Sequence, residues 1–271
     1  FTVFAGVLFP EGEGAQKLAR GASKRLKLLK MDVTKADEVE AAISAVRASG
    51  LPLWAVVNNA GIGFGAFFDW GEDVEVYRKL FEVNIFGVIR VTKAAMPLLR
   101  QSSGRIVNVA SLAGRISAPT MVHYNMAKHS VRVFSDTIRR EFALTGDAIK
   151  VVTIEPTFYR TEIVNAESMK RFRVNAYNSS PEEIKKVYSA VAPDRWFDKA
   201  QVVIDTVSRT DLSEVTEAME NAVTLEHPKL FYRCGGYHDV IIWALSHLPE
   251  IIFDYFINNR FGHAVLSVYV K

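Results

Sequence analysis

Tyr124 and Lys128 stand four residues apart in the stretch HYNMAKHS. Within a helix that spacing is about one turn, so the two side chains project from one face. A phenol with an unperturbed pKa near 10 holds its proton too firmly to exchange it at neutral pH. An ammonium one turn away favours the phenolate, so Lys128 is expected to draw the Tyr124 pKa down. That would make Tyr124 an acid-base group, a role worth about 10² to 10⁴ in rate. A solvated surface pair has the same spacing, so the rest of the chain must decide.

Three further stretches offer polar groups. RIVNVASLAGR ends an apolar run with Ser111, thirteen residues before Tyr124. EVNIFG places Asn84 inside a helical run, where an amide is a mediocre helix former. WAVVNNAGIG ends another apolar run with Asn58, Asn59, Ala60 and Gly61, small residues that let the backbone approach a ligand closely. A hydroxyl, a phenol, an ammonium and an amide on one spot could exchange a substrate proton. Ser111 would hold the substrate oxygen as charge develops, and Asn84 would bind a water linking Lys128 to solvent.

The elements that must position these groups read as a parallel α/β sheet. Short apolar runs alternate with amphipathic ones, the pattern of strands buried on both faces by crossover helices. Strands are expected at Thr2 to Leu8, Leu26 to Met31, Leu53 to Asn58, Arg105 to Ala110, Ile149 to Glu155 and near Lys229 to Arg233. The clearest helices run from Ala36 to Ala48, from Asp73 to about Gln101 and from Val122 to Thr145. Consecutive parallel strands bring their carboxyl ends to one rim, where Asn59, Ser111 and Tyr124 would meet. One domain covers 1–271, with a polar lid insertion at about 157–228 carrying three short helices and an apolar helical tail at about 238–271.

Composition narrows the function. With 49% hydrophobic residues the chain is no disordered segment. Its 33 basic and 30 acidic residues are spread without a basic block, so no nucleic-acid partner is expected. The single cysteine, Cys234, can form neither an internal disulfide nor a thiolate metal site, and no His, Asp or Glu spacing suggests a metal. His123 and His129 flank Tyr124, but histidines on a helix are expected at its surface, outside any proton relay.

Taken together, these residues resemble the short-chain dehydrogenase/reductase family over nearly the whole chain. The likeness implies a Rossmann-like, doubly wound parallel sheet and a catalytic tetrad of Asn84, Ser111, Tyr124 and Lys128. It also implies cofactor contacts at Asp32 and Val33, at Asn59, Ala60 and Gly61, at Tyr124 and Lys128, and at Pro156 and Thr161 in EPTFYRTEI. Thr157 stands where the family usually has glycine. No GxGxxG or GxxxGxG occurs, and FTVFAGVLF reads as the family's second strand. The first strand and its Gly-rich phosphate turn are thus expected to be missing from an N-terminally incomplete chain that binds dinucleotide poorly as written. No basic residue stands at the end of that strand and Glu11 and Glu13 follow, which favours NAD, with NADP as the alternative.

The branch resembled holds retinol dehydrogenases, 17β-hydroxysteroid dehydrogenases and D-3-hydroxybutyrate dehydrogenase. It implies a hydrophobic alcohol or ketone of steroid or retinoid type. Phe158, Tyr159, Met169, Phe172, Tyr177, Tyr188, Trp196 and Phe197 could wall an apolar pocket, or simply pack the lid. A small hydroxy acid is the second reading, with Arg160, Lys170, Arg171 or Arg173 holding its carboxylate. A third is an inactive scaffold that binds lipid or a partner. The tail lacks the roughly 20 unbroken apolar residues of a spanning helix, yet Trp243, Phe253, Tyr255 and Phe256 suit a membrane surface. It would lie on lipid, cover the substrate mouth or join a homo-oligomer, in an intracellular protein associated with the endoplasmic reticulum or mitochondrion.

Overall fold

The computed structural model describes every residue except 72, 162, 164–165, 190–191, 194–205, 207, 237–239, 241–243, 245–246 and 257–271. Its strands are β1 (Val3–Val7), β2 (Leu26–Lys30), β3 (Ala55–Asn58), β4 (Arg105–Val109), β5 (Lys150–Pro156) and β6 (Phe231–Cys234), and every pairing is parallel. The helices are α1 (Glu13–Gly21), α2 (Ala36–Ala48), α3 (Val74–Phe81), α4 (Val88–Ser102), α5 (Val122–Thr145), α6 (Ala166–Ser179), α7 (Glu182–Val187), α8 (Ser213–Thr224) and α9 (Glu250–Phe256). The parallel α/β architecture expected from the sequence is present, but the sheet is divided. β1 pairs only with β2, while β3, β4, β5 and β6 form a second sheet in that order, so β1 and β3 share no ladder.

In the four-stranded sheet β4 shows why both faces are covered. Ile106 points to the side of Ala95, Leu99 and Ile43, from α4 and α2. Its neighbour Val107 points the other way, to Val215, Ala218 and Ala222 of α8. Successive strand residues alternate faces, so a strand buried on both sides must be apolar at every step. α8 therefore covers the sheet, and this part of the segment expected as lid belongs to the core. The two-stranded sheet is different: along the chain the first buried residue is Val39, in α2.

Local chemistry explains the helix limits. α2 buries Val39, Ala42, Ile43 and Val46, a single helical stripe, and opens with Asp37 and Glu38 in its first turn, where the helix dipole favours acids. α5 ends at Gly146, whose φ of 72° closes the helix in the left-handed region that glycine tolerates best. The single helix expected from Asp73 to Gln101 is α3 and α4 joined by a π-helical turn, Glu82–Gly87, with Asn84 in it. Such turns insert one residue into a helix and shift the side chains that follow. Among the described residues, no helix is long and apolar enough to cross a membrane.

Candidate active site

A cavity of about 320 Å³ opens at the carboxyl rim of the four-stranded sheet. Ser111, Tyr124 and Lys128 line it with Asn59, Pro156 and Thr161, while Val109, Leu112, Ile116, Met121, Ile163 and Met169 make its walls largely apolar. The ends of β3, β4 and β5, with α5, deliver the polar groups, as the topology requires. Gly61 lines an adjoining opening with Ile62 and Gly63. Asp32, Val33 and Ala60 do not line the cavity: the first two lie at the end of β2. The Asp32 carboxylate there accepts from the Thr34 backbone N–H at 2.9 Å and is held below the usual carboxylate range, chiefly by that bond.

Ser111 caps the short 3₁₀ turn Leu112–Gly114, accepting from the Ala113 N–H at 3.1 Å and donating to the Pro156 carbonyl at 3.4 Å. The turn presses on α5: a Cβ at Gly114 would lie 2.7 Å from the Lys128 carbonyl oxygen, so only glycine fits. Arg115, next in the chain, bonds the buried Glu155 carboxylate at 2.6 Å, with Arg132 at 3.8 Å. This clamp ties the Ser111 segment to the end of β5. Glu155 was not singled out by the sequence reading, although a carboxylate in the apolar run VVTIEP is a visible anomaly.

Lys128 is buried and donates to the Val109 carbonyl at 3.0 Å, its Nζ lying 5.7 Å from the centre of the Tyr124 ring. Burial pulls its pKa down to about 8. For Tyr124 the expectation is corrected. Burial pushes the phenol above its ordinary value, and the smaller opposing pull comes from the Ser111 hydroxyl. Taking a phenolate out of water costs more than the Ser111 hydroxyl returns. Tyr124 thus keeps its proton at neutral pH in this structure.

Asn84 accepts from the Ile62 N–H and donates to the Ile62 carbonyl, both at 2.8 Å. Its amide also pins the loop after β3, a role that the spacing in the sequence does not suggest. Only its second lone pair and second N–H are left for a water. A Cβ on Gly61 would come 3.4 Å from Asn84 Oδ1 and 3.6 Å from Lys128 Nζ, so the amide and the ammonium meet over that glycine. Asn58 bonds Thr92 at 3.1 Å and Asn108 at 2.8 Å, and Asn108 bonds Ser135 at 2.8 Å. This buried chain of polar side chains locks β3, β4, α4 and α5 together, and sequence spacing gave no sign of it.

The lid rings divide. Phe158, Tyr159 and Met169 line the cavity, as does Phe253 of the tail. Tyr177 and Tyr188 instead pack on Trp70, 5.1 and 6.1 Å between ring centres. Trp196, Phe197 and Trp243 lie outside the described residues. Arg160, Lys170 and Arg171 are exposed, whereas Arg173 is buried and lines the cavity. His123, expected at the surface, is 1% exposed among Phe64, Tyr77 and Phe172, and burial holds its pKa down at about 4. Among the described residues no cluster of His, Cys, Asp or Glu could hold a metal.

Several known proteins resemble this chain. The profile of the short chain dehydrogenases matches residues 7–171. Rat estradiol 17-beta-dehydrogenase 2 is 36% identical over 266 residues, covering 96% of this chain and 68% of the relative. Mouse retinol dehydrogenase 7 is 36% identical over 244 residues, 89% of this chain and 76% of the relative. Human 17-beta-hydroxysteroid dehydrogenase type 6 is 34% identical over 259 residues, 94% and 80% respectively. Among solved structures, a short chain dehydrogenase/reductase from Burkholderia phymatum in complex with NAD superposes with a TM-score of 0.68 at 23% identity, covering 89% of this chain and 81% of that one. A short-chain dehydrogenase from Streptomyces avermitilis gives 0.66 at 21% identity, covering 96% and 87%.

Proposed function

The chain belongs to the short chain dehydrogenase family, and on that premise we propose that it moves a hydride between NAD, or alternatively NADP, and the carbinol carbon of an apolar alcohol of steroid or retinoid type. The observation that carries this reading is one cavity in which Ser111, Tyr124 and Lys128 are the polar floor and most other walls are apolar. The relatives named for estradiol, hydroxysteroids and retinol support the same substrate class.

The residues present fit the nicotinamide end of such a cofactor. Asn59, Pro156 and Thr161 share the cavity with Tyr124 and Lys128, and Gly63 has no room for a side chain, since a Cβ there would lie 2.8 Å from Ile163 Cγ2. When bound, the cofactor supplies or takes up the hydride. In this reading Ser111 orients the substrate oxygen and Tyr124 Oη gives it a proton during ketone reduction or receives one during alcohol oxidation. Lys128 stabilises the tyrosinate that each proton transfer leaves or requires, and Asn84 fixes the Ile62 loop beneath. Asp32, Val33, Ala60 and Gly61 serve the rest of the cofactor. Lid and tail belong to the same single domain.

The tail gives the site a second character. α9 turns Phe253 into the cavity and leaves Ile251 and Tyr255 80% and 71% exposed beside it. We read this as a cavity mouth that rests on a membrane surface, where an apolar substrate is concentrated. A small hydroxy acid would leave most of the apolar wall uncovered, and an inactive scaffold has no need of a buried ammonium beside a buried phenol. Turnover with an androstanediol-type steroid, retinol and 3-hydroxybutyrate, followed as reduced cofactor, decides among the readings. Reduction of cofactor by none of the three overturns the assignment as a dehydrogenase of these classes.

A further inference from the structure

Lid and tail both leave the sheet beside one carboxylate that the proton transfer does not use. Glu214, in the first turn of α8, gathers groups from three separate stretches of chain. Its Oε2 accepts from the Tyr159 hydroxyl at 2.6 Å and pairs with Arg209 Nη2 at 3.3 Å. Its Oε1 accepts from the backbone N–H groups of Gly235 at 3.0 Å and Gly236 at 3.2 Å. Tyr159 and Arg209 stand where the chain enters and leaves the lid. There the Arg160 N–H donates to the Arg209 carbonyl at 2.9 Å, and the Arg209 N–H to the Phe158 carbonyl at 3.0 Å. Gly235 and Gly236 follow β6 and precede the tail.

The groups so held make up one side of the substrate wall. Tyr159 lines the cavity, as do Leu212 and Val215 on either side of Glu214 in the chain. Thr157 lines it too, and Gly235 packs on that side chain so closely that a Cβ would collide with it. Glu214 itself lies outside the lining. Burial works against its charge, yet the bonds from Tyr159 and the two glycines, with Arg209 beside them, hold its carboxyl below the ordinary value, so it is ionised at neutral pH. Hydrogen bonds to an ionised acceptor are about twice as strong as neutral ones, which lets a single side chain fix the whole junction.

Resting on the reading of the site as a dehydrogenase of apolar alcohols, we propose that Glu214 is a positioning residue for the substrate. It keeps Tyr159, Leu212, Val215 and Thr157 at the spacing that a bulky ring system fills, and so sets the affinity for that ring system without touching it. Proton exchange between Tyr124 and the carbinol makes no use of it.

The test is steroid binding, measured by titration calorimetry with an androstanediol-type steroid, with circular dichroism of each variant to show that it is folded. Glu214→Ala removes every bond at the junction, whereas Glu214→Gln keeps an oxygen for the two glycine N–H groups. Affinity should fall about 10- to 30-fold in the first and about 3-fold in the second. Tyr159→Phe keeps the ring and removes only its tether, so it should weaken the steroid as well. Combined with Glu214→Ala it should add nothing, because both changes break the same bond. In turnover the loss should appear in KM and not in kcat. Unchanged steroid affinity in Glu214→Ala overturns the proposal, as does unchanged affinity in both Glu214→Gln and Tyr159→Phe should the alanine variant fail to fold. Independent, additive losses in the double variant overturn it too. A wild-type chain that binds the steroid but reduces no cofactor sinks the dehydrogenase reading alone and leaves the role of Glu214 standing.

Discussion

The Lys128 ammonium is held by the Val109 carbonyl at 3.0 Å while its Nζ stands 5.7 Å from the centre of the Tyr124 ring, so a strand end, not the phenol, fixes its position. Both residues stand on α5, and the carbonyl at the end of β4 then sets where the Lys128 ammonium comes to rest. Tyr124→Phe should lower alcohol turnover by at least about 10² while changing steroid affinity by less than a few fold. Steady-state kinetics paired with calorimetry checks this. Turnover within a few fold of wild type would remove Tyr124 from the proton path.

Gly114 is the point where the Ser111 turn meets α5. Gly114→Ala sets a methyl 2.7 Å from the Lys128 carbonyl oxygen, a backbone atom that cannot swing away. Overpacking of this kind costs about 1–3 kcal/mol. A lower midpoint in urea, together with a raised KM for the alcohol, is the expected result.

Glu155 is 2% exposed and faces two arginines. Glu155→Gln leaves those cations, 15% and 32% exposed, beside a neutral group, and because burial already disfavours the carboxylate the cost is about 1–3 kcal/mol, that of a weakened buried hydrogen bond. Equilibrium unfolding should show that loss, and replacing Arg115 by Met in the same chain should recover part of it.

His123 predicts an acid-sensitive window. Its pKa is about 4 in the fold against 6.5 when exposed, because the ring is surrounded by Phe64, Tyr77 and Phe172 and its Nε2 has no hydrogen-bond partner among the described residues. The fold favours the neutral ring, so its contribution is fully present above pH 6.5. It is lost as the pH falls toward 4, amounting to about 3 kcal/mol at the end of that range. His123→Phe should flatten the stability profile between those values. An unchanged slope in denaturation from pH 7 to 4 would show that another group sets it.

What was readable from the chain was whatever a short window contains. The apolar stripe of α2 and the span from Val122 to Thr145 set helix limits that the structure reproduces residue for residue. The four polar residues were found through their spacing and a family likeness. What could not be read depends on neighbours distant in sequence. The insertion of Asn84 into a π turn, the bond from Asn58 to Asn108 fifty residues on, and the burial of His123 under Phe172 are made by packing. The direction of the Tyr124 pKa failed for the same reason, since spacing specifies that an ammonium is near but not how much water the fold removes.

The division of the sheet has a dynamic meaning. β1, α1 and β2 contribute no buried residue, and among strands β1 pairs with β2 alone. Amide protons of Phe4 to Val7 and Leu28 to Lys30 should therefore exchange with deuterium through a local opening far cheaper than global unfolding, while those of Ile106 to Val109 exchange only when the whole chain opens. The first 35 residues would then behave as a separate cooperative unit, melting ahead of the rim that carries the reaction.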